Sequence, residues 1–122
     1  MWFPILDMSK RNNLVFIKHI LDAINDIQFS IKNLSKKQFI ESKDVKDATI
    51  RRIEIIGESV KNMSEDVKDK YPEIEWKKIV GTRDRLIHAY FSVDLDITWD
   101  IVKINLPDSN NKILEIKENM EI

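Results

Sequence analysis

Apolar residues recur at three- and four-residue spacing along nearly the whole chain, the period of helices with one buried face. Leu14, Ile17, Leu21, Ile24, Ile27 and Ile31 form the first stripe, with Lys18, Asp22, Asn25 and Asp26 off it. This predicts a long first helix. Ser35 followed three residues later by Gln38 is a capping box, and it predicts a short helix through Ile40. Ser42 is placed to cap the next helix, whose stripe is Val45, Ala48, Ile53, Ile56, Val60 and Met63. At about 1.5 Å per residue that helix is roughly 30 Å long, the length of a small bundle. Gly57 lies in its middle, where glycine costs about 1 kcal/mol relative to alanine, so a close helix–helix approach is expected there.

Ser64 is placed to cap a short amphipathic turn that must end before Tyr71-Pro72, because proline disfavours helix at the residue before it. Helical spacing resumes at Trp76 and runs through Ile79, Val80, Leu86, Ile87, Tyr90 and Phe91, with Gly81 a candidate kink. Asp94 or Asp96 caps a further helix carrying Leu95, Trp99, Val102 and Leu106. Pro107 should interrupt it, with Ile113, Ile116 and Met120 in a last helix after Asp108-Ser109. The pattern predicts one all-α domain over residues 1–122, an antiparallel bundle of four to five helices.

Composition narrows the options. A chain of 122 residues fits one domain, and two glycines and three prolines are too few for a many-stranded sandwich or barrel. Zero cysteines exclude disulfides and cysteine-based metal sites and suit a reducing cytosol. The longest apolar run, Met1–Leu6, contains Pro4 and is too short for a secretory or membrane-spanning segment. A cytoplasmic protein with no membrane partner is expected. Met8 could serve as an alternative start, with Met1–Asp7 a short extension; residues 1–11 as a whole are a possible N-terminal extension of the domain. Twenty basic and 21 acidic residues leave a net charge of -1, which argues against a broad basic coat for nucleic acid.

Locally the charge differs. Lys77, Lys78, Arg83 and Arg85 face only Asp84 between residues 77 and 88, a segment of +3 that could contribute a basic cleft. The same stretch holds His88 and Tyr90, whereas His19 points away from its helix's apolar stripe and reads as a surface residue. On a helix, Asp84 and Arg85 are neighbours of His88, so the carboxylate could orient or charge-stabilise the imidazole. Arg83 and His88 are about 140° apart, too far to hold one phosphate from a straight helix. Either the helix is distorted near Gly81 or two facing copies assemble the site, which predicts a symmetric dimer. Arginine forks onto phosphate and imidazole exchanges protons near neutral pH, so the set suits phosphodiester cleavage. RNA supplies its own 2′-OH nucleophile. A solvated helix face is the plain alternative for the same residues.

Arg83-x4-His88-x-Tyr90, within the run from Trp76 to Asp94, resembles the motif of the HepT-like branch of the HEPN ribonucleases. Ile55-Ile56-Gly57-Glu58-Ser59, Tyr71-Pro72 through Trp76, and Ile97 through Val102 to Leu106-Pro107 resemble that family's flanking blocks in the same order. The likeness covers about residues 12–107; the first eleven residues and the polar 108–111 stretch depart from it. The resemblance implies a helical homodimer with a composite, metal-independent endoribonuclease site and no cofactor. It implies Arg83 and His88 as catalytic residues and Asp84 as the polar residue after the arginine. Arg85 is a supporting candidate, and Lys77 and Lys78 are weaker RNA-binding candidates. It further implies a toxin silenced when an MntA-like minimal nucleotidyltransferase antitoxin transfers AMP to Tyr90. The same residues also fit a non-catalytic helical interaction module that dimerises and binds such a nucleotidyltransferase. A bundle metal site from Glu54, Glu58, Asp84 and His88 is disfavoured, since four-helix carboxylate sites use Glu-x-x-His pairs and the chain has none.

Overall fold

The computed structural model describes residues 4–88 and 95–121, with side chains over 12–86 and 95–121. Helix α1 (Pro4–Ile31) is followed by one-turn α2 (Lys36–Glu41), α3 (Lys43–Asn62), one-turn α4 (Glu65–Lys70) and α5 (Trp76–His88). After the undescribed residues come α6 (Leu95–Asp100), a π-helical turn (Ile101–Asn105) and α7 (Leu106–Met120). No strand occurs among the described residues. The all-α bundle expected from periodicity is present, built from four long helical stretches and two short helices.

The apolar stripes meet in one core. Ile17, Ile20, Ile24 and Ile27 of α1 and Ile56 and Val60 of α3 are almost fully buried, with Ile113 and Ile116 of α7 beside them. α3 packs against α1 on one side and α5 on the other, while α7 lies on α1. On α3 the stripe differs at one position: Thr49 is fully buried, whereas Ala48 is half-buried. Asn13, in the first half of α1, meets Ser64 just past the end of α3, as an antiparallel pair requires: its Oδ1 accepts the Ser64 N–H and its Nδ2 donates to Ser64 Oγ, both at 3.0 Å. That pairing revises the expected cap. Ser64 stands at the N-cap position of α4, but its side chain makes no capping bond.

Two further local expectations change. Gly81 does not interrupt α5, which is helical from Trp76 to His88, and neither glycine has positive φ. Pro107 does not end its helix. Within the preceding π turn the Leu106 N–H bonds to Ile101 O, five residues back, and Pro107 falls in the first turn of α7. The wider turn spares the clash a proline ring makes with the carbonyl four residues earlier, here Lys103, and the first turn needs no N–H from it. Asp108-Ser109 is therefore interior to a continuous helical path rather than a new start.

Candidate active site

Arg83 is the best-anchored of the candidate residues. It sits on α5 facing α3, and its aliphatic stem lies over Gly57. A Cβ built on Gly57 would overlap Arg83 Cβ and Cγ and lie 3.1 Å from Cδ. The mid-helix glycine is thus the close approach that its cost anticipated, and the group it admits is the arginine. Glu58, the next residue, pairs through Oε1 with Arg83 Nη2, and Asp84 Oδ1 accepts a hydrogen bond from Nη1 at 2.7 Å. Glu54 leans on the same charge and meets Arg51 at 3.5 Å.

The Arg83 side chain is only 17% exposed, against 45% for Glu58 and 40% for Asp84. A charged side chain this largely covered is held by anionic partners, and α3 and α5 each supply one. The hydrogen bond to Asp84 raises the Arg83 pKa above the ordinary arginine value; desolvation opposes the rise, and the charges of Glu58, Asp84 and Glu54 add to it. The group is a permanent cation. Its Nε is buried without a hydrogen-bond partner.

Three other candidates, Lys77, Lys78 and Arg85, lie elsewhere. Lys78 pairs with Glu75 at 3.3 Å and, with Arg85 and Thr82, lines a cavity of about 710 Å³ between α5 and the π turn. Lys77 is exposed. The structure therefore does not gather Lys77, Lys78 and Arg85 around Arg83. The acids that balance the +3 segment sit partly on Arg83 itself, which narrows the expected basic cleft. The backbone of His88 is the last described part of α5, but its side chain and all of Tyr90 fall outside the described residues, as does the Asp94 cap. His19 is exposed as expected. Glu58 is the residue whose part in this cluster sequence reading missed: a glutamate beside a helix-interior glycine was the available signal. Among the described residues no three metal-ligating side chains cluster, and no helix is long and apolar enough to cross a membrane.

Comparison with known proteins bears on this arrangement. The family described as Ribonuclease HepT-like matches residues 20–116. This chain belongs to the HepT-like ribonuclease family. A Methanocaldococcus jannaschii protein with a provisional RNase name is 38% identical over 93% of this chain and 94% of its own length. A Thermococcus cleftensis protein with a provisional ribonuclease HepT name is 36% identical over 89% of this chain and 99% of its own. A third, a gamma-glutamylcyclotransferase and provisional RNase from M. jannaschii, is 42% identical over 88% of this chain, which spans only 48% of that protein. No solved structure matches the chain.

The arginine of this HepT-like chain depends on a missing methyl group, which gives a direct expectation. Gly57→Ala removes about 1 kcal/mol of helix penalty. The new Cβ meets the root of the Arg83 side chain, not its flexible end, so α3 and α5 must separate or Arg83 must change rotamer. Overpacking of this kind costs about 1–3 kcal/mol, so a net loss in urea denaturation is expected, with displacement of Arg83 from Glu58. A variant more stable than wild type would contradict it.

Proposed function

We propose that the chain is the toxin of a toxin–antitoxin pair: a cytoplasmic, metal-independent endoribonuclease acting at a site shared by two copies. Arg83 holds the scissile phosphate and stabilises its transition-state charge. His88 is the proton-transfer group. The ribose 2′-OH gives up its proton and attacks phosphorus, the bond to the 5′-oxygen breaks, and that oxygen takes a proton. The products are a 2′,3′-cyclic phosphate and a 5′-hydroxyl.

The observation carrying this reading is the unbroken α5 of a HepT-like chain, with Arg83 turned into α3. On a helix uninterrupted at Gly81, the five-residue spacing sets positions 83 and 88 about 140° apart, and a second copy would supply the missing half. Gly81 supports this. It is an exposed mid-helix glycine with nothing among the described residues within 4 Å of a built Cβ, so none of them requires it. A crossing helix would. Silencing fits the same site: an MntA-like nucleotidyltransferase transfers AMP from ATP to the Tyr90 hydroxyl with release of pyrophosphate, and the added phosphate and adenine block RNA by repulsion and bulk.

Purified protein should cut RNA in EDTA and leave cyclic phosphate ends. Protein co-expressed with the nucleotidyltransferase should be inert and carry AMP mass on the Tyr90 peptide. Cleavage strictly dependent on added metal, or an inert complex with unmodified Tyr90, would refute the corresponding part.

A further inference from the structure

We propose that Gly57 and Glu58 form a socket on α3 that sets the position of Arg83 for RNA cleavage, making Glu58 a positioning residue outside the sequence motif. The inference rests on the ribonuclease reading and adds to it a residue from a different helix. An arginine side chain is long and rotamer-rich, so its sequence position does not say where the guanidinium goes. Here α3 decides it at two points. The absent Cβ at Gly57 gives the stem a track, and the adjacent Glu58 takes the head. Asp84 holds the other Nη from the arginine's own helix.

Donor counting separates positioning from blockade. A guanidinium has five N–H donors. Glu58 Oε1 meets Nη2 and Asp84 Oδ1 meets Nη1, and Nε is buried without a partner among the described residues. One N–H on each Nη is left for a phosphate, so Glu58 can grip Arg83 while RNA is bound. As a mere fastening between helices the arrangement would be a weak choice, because packed apolar side chains stabilise at least as well as a partly desolvated ion pair. As a device for fixing one guanidinium from two directions, it is well suited.

The test uses the fragment that Arg83→Ala removes, which is ethylguanidinium. Arg83→Ala should lower cleavage about 10²–10³-fold. Millimolar ethylguanidinium should restore part of it, and ethylammonium should not. In the Arg83→Ala/Glu58→Ala double variant the rescue should vanish, while Glu58→Ala adds no further loss on that background. Glu58→Gln alone should reduce kcat about 10²-fold, as a misplaced group does, with KM little changed. Glu58→Asp, which keeps the charge one methylene shorter, should fall between, and it carries the test if Glu58→Gln does not fold. Rescue that persists without Glu58, or a Glu58→Gln protein that cuts as fast as or faster than wild type, overturns the socket alone. Wild-type protein that cuts no RNA overturns the ribonuclease reading and the socket together.

Discussion

Substitution of His88 by alanine is expected to reduce RNA cleavage by about 10²–10⁴-fold, the usual contribution of a positioned proton-transfer group. The loss should appear in kcat, since the phosphate contacts proposed for Arg83 remain. Stability should barely change. The residues anchoring the described part of α5, Trp76 and Leu86, are untouched. Trp76 is held independently, its Nε1 donating to Tyr71 O at 3.1 Å. Equal melting temperatures with unequal cleavage would therefore assign the loss to chemistry. If the His88→Ala protein cuts at the wild-type rate in EDTA, His88 is not the proton-transfer group and cleavage must be traced to other residues.

Much of the fold was legible because its signals are local. The Ser35–Gln38 box forms both of its reciprocal bonds, and Ser42 accepts the Val45 N–H. The stripes of α1 and α3 are buried nearly as their spacing requires. Misjudged features depended on a partner distant in sequence or on a rarer backbone. Ser64 looks like a cap until Asn13, 51 residues away, claims its hydroxyl and its N–H. Pro107 reads as a stop because the common rule assumes α-helical hydrogen bonding, and a π turn lies outside that rule.

The site divides along the same line. Arg83, Asp84 and His88 could be singled out from composition and spacing, and the separation of Arg83 from His88 followed from helix geometry alone. What α5 could not disclose is that Arg83 points into α3. The trace of that contact was a costly glycine with a glutamate beside it, noted for helix approach and for an unlikely metal set respectively. Tertiary contact joins the two observations. It also explains why local net charge was a partial guide: Glu58 is 25 residues from Arg83 in sequence and touches it in space.

Phe39→Ala should be among the most damaging of the core truncations, at about 3–5 kcal/mol in urea denaturation. Phe39 is fully buried although its helix, α2, has only six residues, too short to persist without tertiary support. Its ring lies 5.3 Å from that of Trp99 at 41°, so it ties α2 to α6. The Lys36–Asp96 ion pair at 2.7 Å spans the same two helices, but both side chains are about half exposed or more, and such a pair contributes about 0–1 kcal/mol. The apolar anchor, not the charge pair, should thus hold the start of α6, which directly follows the segment bearing Tyr90. A loss of this size is a large share of the roughly 5–15 kcal/mol that keeps a domain folded, and it should lower the melting temperature by about 10 °C or more. Lys36→Ala should move it by a few degrees at most. If Lys36→Ala proves as costly as Phe39→Ala, the ion pair is the true fastening of α2 to α6 and the ranking by burial is wrong.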